Sequence, residues 1–208
     1  MAGTLRSLAL GVALCSSLVA PSAPTHAQQV RDREVRPAFD FTRIQMPVEI
    51  VAVKLNGGDL RPGEKTPGDD DWLRGVSFTL KNISDKPISY VAVGLQFPQS
   101  QGFVAYLLGY GVDFSRGEHR RESSPPPIQP GGTVDLVLTK DRYPVFLSIL
   151  ARGGAPRSFD VAPYYVDRIC FEGEPDIIWE AGLLKRRDPA RPTEFNVIGR
   201  YALPAPQN

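Results

Sequence analysis

Alternation of apolar and polar positions organises most of the chain. In residues 75–82, Val76, Phe78 and Leu80 alternate with Ser77, Thr79 and Lys81, and in residues 88–97, Val91, Val93, Leu95 and Phe97 fall on one face. A period of two gives a strand one buried and one wet face. Between these runs, Asn82-Ile83-Ser84-Asp85-Lys86-Pro87 supplies turn chemistry, so the pattern predicts a strand–turn–strand hairpin. In residues 103–114, Val104, Tyr106, Leu108, Tyr110, Val112 and Phe114 form a bulky face expected to pack into a core. Gly109 and Gly111 fall on the opposite face and predict a bulge or the close approach of another backbone. Residues 46–55, 133–139 and 161–171 read as further strands, and 176–179 pairs back on the last of them through Glu172-Gly173-Glu174-Pro175. Residues 140–154 break the pattern. Val145 with Ile149, and Phe146 with Leu150, repeat at helical spacing, Pro144 suits a first turn and Gly153 a C-terminal cap, predicting a short helix over 143–152.

Two stretches rich in Gly, Pro and polar residues, 56–71 and 115–132, read as long loops. Residues 28–45 are charged and weakly patterned and read as a flexible leader. Residues 184–208, containing RRDPARP and LPAPQN, read as an irregular tail. About seven strands, long loops and one short helix predict a mainly β fold: an antiparallel, immunoglobulin-like β-sandwich over residues 46–183, without the cysteine pair of antibody domains.

Composition sharpens this picture. The 208 residues include 19 Gly and 20 Pro, which disfavours a helical bundle, and 24 Lys and Arg against 23 Asp and Glu, which gives no electrostatic reason to expect nucleic acid. Residues 1–27 combine Arg6, an apolar run over 8–20, a Pro-rich break and Thr25-His26-Ala27, the pattern of a secretory signal peptide. The run is too short to span a bilayer, and Leu14 before Cys15 does not suit lipidation. Cleavage after Ala27 would leave 208 less 27, or 181, residues, with equal numbers of acidic and basic side chains, one cysteine (Cys170), one histidine (His119) and no transmembrane segment. The expected location is the periplasm or the exterior.

The stretch VSFTLKNISDKPISYVAVGLQF over 76–97 resembles the strand–turn–strand unit of small bacterial extracytoplasmic immunoglobulin-like modules, the FxLYD and CARDB-like domains among them. FEGEPDIIWEAGLLKRRDPARP over 171–192 is similar to the C-terminal part of uncharacterised secreted proteins of soil bacteria. The resemblance implies a β-sandwich and an extracytoplasmic compartment. Such modules share no catalytic residues, so it assigns no site.

Few chemistries have the residues they need. One mature histidine and one cysteine cannot build a zinc or copper site of several His and Cys ligands, and no phosphate-binding loop, dinucleotide fingerprint or serine-hydrolase elbow is present. No cofactor is expected. His119 sits between arginines in a Pro-rich loop and reads as a solvated loop residue. Cys170 reads as a buried strand residue. Asp69 and Asp71, in the run 69–71, are the candidate oxygen ligands for calcium, against the alternative of a solvated acidic loop. Tyr106, Tyr110, Tyr165 and Trp179 are the candidates for a binding surface, because Tyr and Trp combine apolar area with a polar tip; core packing is the competing reading for each. Arg186, Arg187 and Arg191 form a small basic cluster expected in a solvated tail. Asn82-Ile83-Ser84 fits a glycosylation sequon and equally a turn.

These features lead to an exported, non-catalytic β-sandwich, a binding or accessory module that engages a protein or an envelope component, with an open sheet edge as the route of strand addition. The alternative is an extracytoplasmic hydrolase of glycan or peptide using paired carboxylates among residues 69–71, Asp113 and Glu118.

Overall fold

The computed structural model describes residues 30–61, 63–99, 102–156 and 158–203; the candidate signal peptide lies outside them. The fold is mainly β, with two sheets and one α-helix. The strands are β1 (Arg31–Pro37), β2 (Val48–Leu55), β3 (Gly58–Leu60), β4 (Lys65–Gly68), β5 (Ser77–Asn82), β6 (Ile88–Pro98), β7 (Phe103–Gly111), β8 (Thr133–Val137), β9 (Val161–Phe171), β10 (Ile177–Glu180), β11 (Leu183–Asp188) and β12 (Arg191–Arg200). Helix α1 spans Tyr143–Arg152, the range its 3.6-residue periodicity predicts, and Pro144 occupies its first turn.

The smaller sheet has the order β3-β2-β5-β8. The larger, eight-stranded sheet is built around β9. One edge of β9 pairs with β6, which in turn pairs with β7. The other edge is shared: its N-terminal half pairs with β1, and its C-terminal half with β10, which continues to β11 and β12. The β1–β9 pairing is parallel, so the sandwich is mixed where the sequence pattern predicted an antiparallel one.

The two sheets pack on one core. Phe78 and Leu80 of the smaller sheet share one buried cluster with Val91, Val93, Leu95 and Tyr164 of the larger, and the Phe78 and Tyr164 rings lie 5.1 Å apart. Helix α1 adds Tyr143, Phe146 and Leu150, with Phe146 edge-on to Phe97 and Tyr106.

Four further sequence expectations are corrected. The run over 76–97 does not form a hairpin: β5 pairs with β2 and β8, while β6 pairs with β7 and β9. The chain arches from one sheet to the other, with both apolar faces inward, and the turn is held by Asn82. The buried Asn82 amide donates to the Lys86 and Ile128 carbonyls at 2.9 and 2.8 Å, and its oxygen accepts from the Ser84 N–H and hydroxyl at 2.9 and 2.7 Å. With both amide hydrogens used, the sequon is a structural turn.

The leader over 28–45 contains β1, whose Arg33 and Val35 are buried. Its alternation was obscured because one of its inward residues is an arginine. The tail over 184–208 contains β11 and β12, a hairpin turned at 189–190, so the sheet extends beyond the predicted 46–183 on both sides. The predicted loop over 56–71 likewise carries β3 and β4.

Candidate functional site

The four aromatic candidates do not form one surface. Trp179 on β10 is 1% exposed and donates its indole N–H to the Gln45 carbonyl at 3.1 Å. Tyr106 on β7 is also buried, edge-on to Phe146 at 5.2 Å. Both are core residues; inward-facing positions of a sandwich need large side chains. Tyr110 is half-buried and donates its hydroxyl to the Pro126 carbonyl at 2.9 Å. Tyr165 is half-buried on the outer face of β9, its ring lying over Gly94, where a Cβ would collide with the ring carbons. Burial pushes its phenol up to about 12, helped by the neighbouring Asp167 carboxylate.

The acidic run over 69–71 is held by arginines in place of a cation. Asp70 faces Arg33 at 3.2 Å, Asp71 pairs with Arg74, and the Asp69 carboxylate accepts the Asp71 N–H at 2.9 Å. Among the described residues, no group of three or more His, Cys, Asp or Glu is placed to hold a metal ion. Arg33 organises this corner. Its guanidinium spends all five donors: on the Gly68, Phe159 and Asp69 carbonyls and on the Asp160 and Asp70 carboxylates, at 2.6–3.2 Å. Trp72 lies against it and shares the Phe159 carbonyl.

A second polar cluster lies on the outer side of β9. Asp113 is buried; one carboxylate oxygen accepts the Ser115 N–H at 3.0 Å, the Ser115 hydroxyl and the Cys170 thiol at 3.4 Å. The other oxygen faces Arg116 at 3.3 Å and Arg168 at 3.5 Å. Arg168 also donates to Ser115 Oγ at 2.9 Å and to Glu180 at 3.1 Å. Arg187, one of the predicted basic cluster, donates to the Phe114 and Ser115 carbonyls and to Asp176. It is a clamp between β11 and the turn over 114–116 rather than a solvated tail residue. Arg191 pairs with Asp188 and Glu194 on the β11–β12 turn.

Burial first, and then the Asp113 charge, push the Cys170 thiol up to about 12. That holds it as a thiol at neutral pH, the unreactive form. Glu118 accepts the Asp113 N–H at 3.1 Å, and His119 is exposed in the following loop. The carboxylates named for hydrolysis are thus divided between two clusters, and each is engaged by backbone or arginine.

What is open is a sheet edge. Among the described residues five strands are terminal: β12, β4 and β7 in the larger sheet, β3 and β8 in the smaller. Exposed strand edges are usually guarded by charge, proline, bulges or brevity. Here β12 carries Arg191, Pro192, Glu194 and Arg200, and its pairing with β11 shifts register twice. β4 has Lys65 and Pro67, β3 is three residues long and carries Asp59, and β8 is five residues long and carries Asp135.

β7 carries none of these guards in its own sequence, though α1 and β8 lie near it, with Gly153 close to Val104. Its nine residues, FVAYLLGYG, are uncharged and pair with β6 from end to end without a register shift. The Val112 N–H donates to the Ser89 carbonyl at 2.8 Å, which sets the phase of the ladder. By the alternation of antiparallel pairing, Val104, Tyr106, Leu108 and Tyr110 turn their backbone groups toward β6. Phe103, Ala105, Leu107 and Gly109 turn theirs outward. Phe103 is 53% exposed. Beside the strand, a cavity of about 310 Å³ lies between Leu108, Gly109 and Tyr110 on one side and residues 135–137 of β8 on the other.

The sequence carried a signal for this edge that strand patterning alone does not use. No charged residue occurs between Lys86 and Asp113. For β6 that follows from its central place; for β7 it leaves an edge unguarded.

Compared with known proteins, the chain matches no family model, no curated protein and no solved structure. No helix among the described residues is long and apolar enough to cross a membrane.

Proposed function

We propose that the protein is an exported, non-catalytic β-sandwich that binds a protein or envelope component by accepting an extended polypeptide strand along β7. The unguarded β7 edge carries this reading. It is long, uncharged and in register, and its outward N–H and C=O groups offer the main-chain hydrogen bonds by which strand addition gains affinity. Export is supported by the residue pattern over 1–27, and the compartment is in keeping with the resemblance carried by residues 76–97. No observation favours the paired-carboxylate hydrolase, whose candidate acids are tied to arginines and backbone donors in two separate clusters.

A photo-reactive residue placed at Leu107, with a control at Glu194 on β12, tests the reading in the producing cell. The expected result is a crosslink from position 107 to an extended segment of a polypeptide, located by peptide mass spectrometry, and little at 194. Equal crosslinking at both positions, or none at 107, would contradict it.

A further inference from the structure

We infer that the strand received along β7 is the β7 strand of a second copy of this chain, paired antiparallel about a two-fold axis through Leu107. This rests on the proposed reading of β7 as a strand-accepting edge and names its occupant.

The sequence of β7 is complementary to itself in this register. With Leu107 opposite Leu107 of the second copy, Ala105 falls opposite Gly109, Tyr106 opposite Leu108, Val104 opposite Tyr110, and Phe103 opposite Gly111. Away from the axis each large side chain meets a different residue, the ring of Phe103 falls over a glycine, and no like charges oppose each other because the strand has none. The phase agrees as well. Ala105, Leu107 and Gly109, whose backbone groups point outward, are matched with one another about the axis, so the new ladder uses the groups that β6 leaves unused. A slip of one residue would oppose outward-pointing groups to inward-pointing ones.

A two-fold contact is also closed. Strand pairing between identical edges consumes both, and the strands left terminal in the joined sheets are β12 and β4, which carry prolines and charges. An edge as apolar as β7, left free, would template open-ended association; an isologous pair stops at two.

Sedimentation of the purified protein over a range of concentrations, with charged variants at the axis, tests this. The wild type is expected to be dimeric. Leu107→Lys and Leu107→Glu place like charges against themselves and should each weaken self-association about tenfold or more. Leu107 is half-buried on the outer face, so either side chain can reach solvent without disturbing the core. Mixing the two variants should restore a one-to-one dimer, as a register that opposes 107 to itself requires. In addition, Leu107→Cys should form an intermolecular disulfide, since residues opposed in a hydrogen-bonded pair have Cα atoms about 5.5 Å apart. Ala105→Cys should not, because its symmetry mate lies about 13 Å along the strand.

A wild type that stays monomeric, a dimer that the charged variants leave intact, or a disulfide through position 105 in place of 107 would each overturn the proposal. If the wild type is monomeric and a photo-reactive residue at 107 still captures another polypeptide, self-pairing fails while the strand-accepting reading stands. If that crosslink is also absent, both fail.

Discussion

Arg33 Nη1 lies 2.6 Å from the Asp160 carboxylate, yet the arginine side chain is fully buried while the aspartate is 48% exposed. The pair is therefore unequal. Removing Asp160 takes away one well-solvated acceptor, whereas removing Arg33 takes the side-chain donor from the Gly68 and Asp69 carbonyls and leaves the Phe159 carbonyl with Trp72 alone. Arg33→Met should lower unfolding stability by about 3–5 kcal/mol. Arg33→Lys should recover little, because an ammonium cannot reproduce a planar five-donor fork. Asp160→Asn should cost less than about 1 kcal/mol. Urea denaturation midpoints of the three variants check the order.

Glycine positions on the outer face of the larger sheet make a second prediction. A Cβ at Gly111 would run into the Ser89 backbone carbonyl, and Gly111 has φ +95°. A Cβ at Gly94 would meet the Tyr165 ring, a side chain able to move. Gly111→Ala should therefore destabilise by more than about 3 kcal/mol and Gly94→Ala by about 1–3 kcal/mol. Adding Tyr165→Ala should remove most of the Gly94→Ala penalty and none of the Gly111→Ala penalty. A double-mutant cycle on thermal unfolding reads this directly.

Glu180 and Asp167 should act oppositely on the pH dependence of stability. Burial raises the Glu180 carboxyl, but hydrogen bonds from Lys185 and Arg168 outweigh it and hold the group below its ordinary value of 4.5. Its contribution is present above that value and is lost as pH falls through the lowered folded value. Burial raises Asp167 above its ordinary 3.8, with Arg168 opposing. Its contribution is fully present below 3.8 and lost as pH rises through the raised folded value. Glu180→Gln should flatten the acid limb of the stability curve, and Asp167→Asn should raise stability near neutrality. Urea midpoints between about pH 3 and pH 8 test both.

Cys170 should be inert to thiol reagents in the folded protein at neutral and mildly alkaline pH, because burial and Asp113 push its thiol to about 12. Modification should track global unfolding as denaturant is added. Rapid labelling of the native protein would contradict the burial of Cys170 behind Ser89 and Asp113.

Strand identity was legible wherever one apolar face stays with one sheet. Residues 161–171 form a strand over the predicted range, and α1 begins and ends where Pro144 and Gly153 place it. Pairing was not legible. The period of two around Val76 and Val93 shows which side faces the core but not whether the next strand lies beside or across, and Asn82 decides that through contact with Ile128, 46 residues away. β1 was missed because Arg33, an inward residue, looks like a surface charge until its five acceptors assemble from two separate segments, 68–70 and 159–160. The aromatic candidates failed for a related reason: Tyr106 and Trp179 have the composition of a binding surface and the burial of a core. The β7 edge left its trace in the uncharged run between Lys86 and Asp113, but topology was needed to show that half of that run is an edge.

Residue-resolved amide hydrogen exchange reads the alternation of backbone groups along β7 directly. In Leu107→Lys, where β7 is expected to be free, Ala105, Gly109 and position 107 should exchange fast, while Val104, Tyr106, Leu108 and Tyr110 are protected by β6. In the wild type at dimer-forming concentration, the first set should become protected and the second change little. Uniform protection along β7 in the variant, or unaltered fast exchange at Ala105, Leu107 and Gly109 in the wild type, would contradict it.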